Sequence, residues 1–179
     1  GAATVTCCEA PTLIRHATLA DLRELDALRR ANQEAVSFVP FSRYEEVASR
    51  APQTLLTAWD NGDMTGYCYW TAGLPVGTIQ QLVIRADARR RERGLLLVET
   101  VIRLMAQDPR RYGASCRCRL DLEAVDFWKA AGFAEIRLED HGSQRGPSLR
   151  FYRELKRTLL PLGPFLPDPR RARSGRPGP

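Results

Sequence analysis

One stretch of this chain gathers charge and glycine in a pattern suited to binding an anion. After the β-rich run Ile79-Gln80-Gln81-Leu82-Val83-Ile84 come Arg89, Arg90, Arg91, Glu92, Arg93 and Gly94, and then Leu95 opens an apolar segment at helical spacing. A loop that enters a helix offers unpaired backbone N–H groups and the positive end of the helix dipole, which together bind a pyrophosphate. Glycine lets such a group approach the backbone. The four arginines outnumber Glu92, whose carboxylate repels phosphate unless it points away. In isolation the same run also suits a solvated helix start.

The other residues with chemical capacity are scattered. Asp121 and Glu123 follow a later β-rich run and are candidates for a general base, although Asp121 equally suits the N-cap of the helix behind it. Gln80 and Gln81 can orient a water or a ligand but cannot accept a proton at neutral pH. Tyr67, Tyr69 and Tyr152 supply phenolic donors. His16 and His141, the only histidines, form no Ser-His-Asp or His-Cys spacing, so a serine or cysteine nucleophile is not expected. Cys7 and Cys8, and Cys116 and Cys118, lack the spacing of a zinc knuckle, and no metal is expected. Alternation along a strand puts Cys116 and Cys118 on one face, which suits burial.

These residues need elements to hold them. Residues 12–17 read as a strand and 20–35 as a helix with Leu22, Leu25, Leu28 and Arg29 on one face. A short helix follows Pro40, with Ser42 as its expected N-cap and Glu45 three residues on. Residues 54–60 and 64–72 read as strands joined by the tight turn Asn61-Gly62-Asp63. Then come a strand over 78–85, a basic loop, a helix over 95–105, a strand over 114–121 and a helix over 123–131 ended by Gly132. Strands over 134–140 and 148–155 close the series.

Composition sets the bounds. With 179 residues, 44% of them apolar, the chain is expected to form one globular domain over residues 12–158, between an extension at 1–11 and a Pro/Gly/Arg-rich tail at 159–179. No apolar run approaches the ~20 residues of a membrane span, and residues 1–11 lack the features of a secretory signal, so a cytoplasmic location is expected. The five cysteines, an odd number, are then expected to be reduced. Net charge is +6, but Lys129 and Lys156 are the only lysines. Such an arginine bias looks partly like GC-rich coding, which weakens a nucleic-acid reading of the clusters at 85–93 and 170–176.

The segment from Ile79 to Ile102 resembles the acetyl-CoA segment of the GNAT superfamily of N-acyltransferases, a strand leading into V-x-P-D-x-R-x-x-G-x-G and a helix. Asp87, Arg89 and Gly94 match, Ala86 stands at the proline, and Glu92 replaces the first glycine. Residues 121–133 resemble the family's N-x-x-A-x-x-F/L-Y-x-x-x-G-F segment: Ala124, Phe127, Gly132 and Phe133 match, Asp121 stands at the asparagine and Trp128 at the tyrosine. The resemblance covers residues 12 to 155. It implies a mixed α/β fold whose mostly antiparallel central sheet has about six to seven strands, flanked by about four helices.

It further implies acetyl-CoA as co-substrate, with its pyrophosphate at Arg89 to Leu95, its pantetheine arm along Leu82, Val83 and Ile84, and Asp121, Phe127 and Trp128 beside it. In many relatives the tyrosine at the Trp128 position protonates the departing thiolate, which an indole cannot do near neutral pH. Gln80 and Gln81 occupy the places where relatives often carry a glutamate base, and are expected to face the acceptor with Phe38 and Tyr69. Residues 36–44 and 140–147 should wall the acceptor. A small or amino-acid-like amine, a protein amine and, less favoured, a nucleic acid base all remain as recipients, as does a binding module without activity. The chain is expected to be a monomer or homodimer away from membranes.

Overall fold

The protein was analysed as a computed structural model that describes residues 11–88, 91–140, 142 and 146–155. The expected tail, Cys7, Cys8, Arg89, Arg90 and His141 lie outside the described residues. In chain order the elements are β1 (Leu13–His16), α1 (Leu22–Ala31), α2 (Phe41–Arg50), β2 (Leu55–Asp60), β3 (Asp63–Thr71), β4 (Val76–Ile84), α3 (Arg91–Ala106), β5 (Gly113–Arg119), α4 (Leu122–Ala130), β6 (Ala134–Glu139) and β7 (Ser148–Glu154). They build one seven-stranded sheet in the order β1-β2-β3-β4-β5-β7-β6. The β4–β5 pair is parallel and its neighbours are antiparallel, so the mixed, mostly antiparallel sheet with four α-helices is the architecture found.

Local chemistry accounts for most boundaries. Asn61 and Gly62 adopt φ of 51° and 84°, the left-handed pair that a two-residue hairpin between β2 and β3 demands. Gly132, at φ 86°, ends α4 in the left-handed region, while Asp121 caps its start by accepting the Glu123 N–H at 2.9 Å. Helix α1 ends at Ala31, four residues short of the expected 35, where Asn32 leaves the helical conformation, and two helix starts also depart from the sequence reading. Helix α2 begins at Phe41 with Pro40 as N-cap, because the Pro40 carbonyl already accepts the Arg43 N–H at 2.9 Å and places Ser42 inside the first turn. Helix α3 begins at Arg91 and not at Leu95, since arginine is a good helix former, so the basic run is partly helix.

The sheet is covered on both faces where β2, β3 and β4 lie. On one side α3 and α4 press Leu97, Val98, Val101 and Met105 against Leu56, Cys68, Trp70 and Ile79. On the other, α1 and α2 bring Leu22, Leu25, Tyr44 and Val47 onto Leu55, Tyr67, Tyr69 and Val83. Cys116 is buried in the first cluster with Cys118 packed beside it, as the same-face alternation of the cysteines requires.

Candidate functional site

The site arises where two neighbouring strands separate. Strands β4 and β5 pair from Val76–Gly113 to Ile79–Cys116 and then part. The parting coincides with a bulge: Trp70 pairs with Ile79 and Tyr69 with Gln81, which leaves Gln80 as the extra residue. A cavity of about 760 Å³ opens there, walled by β4 from Ile79 to Ile84, β5 from Arg117 to Arg119, the first half of α4, Gly94 of α3 and residues 35–37. The Arg85 N–H bonds Thr65 O at 2.7 Å, so alternation along the antiparallel β3–β4 ladder gives Val83 its bonds to Tyr67. The backbone N–H and C=O of Leu82 and of Ile84 therefore turn toward the opening.

At one end stands the amino terminus of α3, whose first residues are Arg91, Glu92, Arg93 and Gly94. The N–H groups of Arg91, Glu92 and Arg93 have no partner within the helix and present partial positive charge. Gly94 lines the cavity, and a Cβ there would lie 2.9 Å from Cε2 of Phe127. A side chain at this position would therefore have to displace the Phe127 ring. Phe127 in turn meets Trp128 edge to face at 5.2 Å, and Trp128 meets Phe133 at 5.2 Å. Trp128 is buried and forms part of the cavity wall.

Three residues expected at the pyrophosphate, Arg93, Leu95 and Glu92, do not line the cavity. The Arg93 guanidinium is paired with Asp60 and also donates to Ala88 O at 3.0 Å, so the β2–β3 hairpin claims it. Leu95 packs on the main core and is not among the lining residues. Glu92 is exposed and also absent from the cavity wall, which removes the repulsion its carboxylate suggested.

The opposite side differs more from expectation. Gln80 is exposed, lines the cavity and donates Nε2–H to Thr71 Oγ1 at 3.2 Å. Gln81 also borders the cavity but its polar capacity is consumed. Tyr44 Oη donates to its Oε1 at 2.6 Å, Tyr67 Oη does so at 3.1 Å, and its own Nε2 donates to Ser37 O at 2.5 Å. Gln81 is therefore a buried tie that fixes the α1–α2 connection to the sheet, not an acceptor contact. Tyr69 is buried edge to face with Tyr44 at 6.2 Å and does not line the cavity. Phe38, 70% exposed, borders a second hollow of about 430 Å³ with Arg29, Val36 and Arg119. The partnership of Tyr44 and Tyr67 gave no signal in sequence, because only the sheet brings them together.

Asp121 and Glu123 both line the opening at the start of α4 and both are exposed. Cys118 lines it too, but burial, with Asp121 and Glu135 adding to it, pushes its thiol up to about 11. Burial likewise raises Cys68 and Cys116, so none of the three thiols is a thiolate nucleophile at neutral pH. Among the described residues no group of histidine, cysteine and carboxylate side chains could hold a metal. Missed in the sequence were Arg117 and Arg119, which alternate with the two cysteines and line the cavity from the other face. The Cys-Arg-Cys-Arg order was the available signal.

A family model described as the acetyltransferase (GNAT) family matches residues 19–133, more than half of the chain. No curated protein matches it in sequence. Among solved structures, Ard1 from Thermoplasma volcanium is similar at a TM-score of 0.72 and 15% identity, over 82% of this chain and 99% of that one. Ribosomal-protein-alanine N-acetyltransferase from Brucella melitensis is similar at 0.68 and 21% identity, over 80% and 99%. Naa20 from Chaetomium thermophilum, in complex with a bisubstrate analogue, is similar at 0.70 and 16% identity, over 81% and 87%. At these identities the likeness is one of fold. Among the described residues no helix is long and apolar enough to cross a membrane.

Proposed function

The chain belongs to the acetyltransferase (GNAT) family, and we propose that it transfers an acetyl group from acetyl-CoA to an amine by direct attack in a ternary complex. The observation that supports this reading above others is the separation of β4 from β5, which opens the sheet beside the α3 amino terminus. The residues present fit the co-substrate. The N–H groups of residues 91–93 suit a pyrophosphate, and the Leu82 backbone groups suit an extended amide-bearing arm by strand-like hydrogen bonds. Phe127 and Trp128 form an apolar wall for that arm.

In this reading the amine nitrogen attacks the thioester carbonyl carbon, and a backbone N–H of β4 stabilises the developing oxyanion. The C–S bond then breaks, its electron pair leaves on sulfur, and the nitrogen gives up one proton. Asp121 or Glu123, both at the cavity wall, can receive that proton through a water. Trp128 cannot protonate the thiolate, but a thiol of ordinary pKa near ~8.5 is a tolerable leaving group and water suffices. Calorimetry with acetyl-CoA and a thiol-release screen over amines test the proposal. Measurable binding with amine-dependent thiol release is expected. Absence of both heat and thermal shift at high acetyl-CoA would sink it and leave a binding module without this activity.

A further inference from the structure

We propose that the acceptor is an amine that also bears a carboxylate, received by Arg117 and Arg119; this rests on the acetyltransferase reading above. Alternation along β5 sends Ala114 and Cys116 into the core beside α3 and α4, and turns Ser115, Arg117 and Arg119 to the opposite face. On that face the apolar cluster under α1 and α2 takes in no residue of β5, β6 or β7 among the described residues, and polar side chains, Ser115, Arg150 and Glu139 with the two arginines, occupy this half of the sheet. Both arginines line the main cavity, and Arg119 also borders the second hollow with Val36 and Phe38. They stand where the cavity opens on the α1–α2 side, across the sheet from α3 and α4.

Glu139, buried on that face, is already committed, while Glu34 at the rim of the second hollow is exposed and is the one further carboxylate lining either hollow on that side among the described residues. Glu139 accepts Arg150 Nε at 3.0 Å and Nη2 at 3.2 Å, and Arg137 Nε at 3.0 Å, whereas Arg117 reaches it only at 3.9 Å. Arg119 has no acidic partner in any ion pair among the described residues. The carboxylates lining the cavity, Asp121, Glu123 and Asp126, all belong to α4 on the other face. The acceptor mouth is therefore net positive while the α4 wall is negative. A polyamine or a basic peptide would be repelled at this mouth. A carboxylate on the acceptor would form charge-assisted hydrogen bonds to the guanidinium pair, and the cation in excess would lower the pKa of the adjacent ammonium, favouring the neutral nucleophile. That effect compensates for glutamines at the places of a base.

The chemistry of an amine beside a carboxylate occurs in free amino acids and at the start of acidic peptides, and a paired panel separates the two. One arm compares glycine with glycinamide and glutamate with its diamide. The second compares carboxy-amidated peptides beginning Asp-Ala with those beginning Asn-Ala, and putrescine serves as an amine with no carboxylate. The acid member of at least one arm should exceed its amide in kcat/KM by about ten- to a hundredfold. Arg117→Gln and Arg119→Gln should each raise KM for that acid by about tenfold and leave its amide and the acetyl-CoA Kd little changed.

Equal use of acid and amide in both arms, a preference for putrescine, or an unchanged KM in both variants would overturn the proposal. If acetyl-CoA binds but no transfer occurs, calorimetry of the CoA-loaded protein with N-acetylglutamate against its diamide decides it by the same contrast. Failure of acetyl-CoA to bind would defeat the acetyltransferase reading, and this inference with it.

Discussion

Gly94 and Gln81 both line the cavity, and what touches each limits what it can do there. At Gly94 a Cβ would meet the Phe127 ring, which itself leans on Trp128. Gly94→Trp should therefore abolish acetyl-CoA binding in calorimetry while far-UV circular dichroism keeps its helical signal. Gly94→Ala is the milder probe, costing about 1 kcal/mol as the Phe127 ring gives way. Retention of normal affinity in the tryptophan variant would refute the placement of the co-substrate loop. Gln81→Leu leaves two buried phenols and the Ser37 carbonyl without their partner. It should lower unfolding stability in urea by about 2–4 kcal/mol and leave acetyl-CoA affinity unchanged below the transition. The sequence could mark Gly94 because a motif position is local. It misjudged Gln81 because whether an amide is free or saturated depends on tyrosines 37 and 14 residues away in the chain.

Among the elements, Glu139 at the end of β6 shows how paired strands share one charge. It bonds Arg150 of β7 and Arg137 of its own strand, and lies 3.9 Å from Arg117 of β5. The Arg150 hydrogen bond foremost, opposed by burial and aided by Arg137, draws its carboxyl from 4.5 down to about 2. The folded state thus binds this proton less readily than the unfolded chain does. The stabilisation is complete above about pH 4.5 and is lost as pH falls toward about 2. Glu139→Gln should cost about 2 kcal/mol at neutral pH, and the gap to the unchanged protein should close over that acid window in urea titrations. A gap independent of pH would contradict this role. Element types were legible from periodicity, as was the Asn61-Gly62 hairpin. The start of α3 was not, because arginines read as loop by charge and as helix by propensity, and the Arg93–Asp60 pair favours the helix.

At the scale of the whole molecule, the opening between β4 and β5 places part of the binding energy on folded residues that an unfolded chain does not assemble. Saturating acetyl-CoA should therefore raise the melting temperature, with about 2.7 kcal/mol of added stability at a hundredfold excess over Kd. A variant truncated after residue 158 should show the same ligand-induced rise, since the cavity wall lies within residues 32–148. A lost rise on truncation would place the tail in the binding unit. The sequence by itself determined the order of elements and the family through its two motifs, because these are written in neighbouring residues and short periods. The tertiary structure decided which side chains reach the opening. Strand divergence at the Gln80 bulge, the three hydrogen bonds of Gln81 and the turn of Arg117 and Arg119 away from α3 and α4 depend on which strands become neighbours, and contacts between distant segments leave no local period to read.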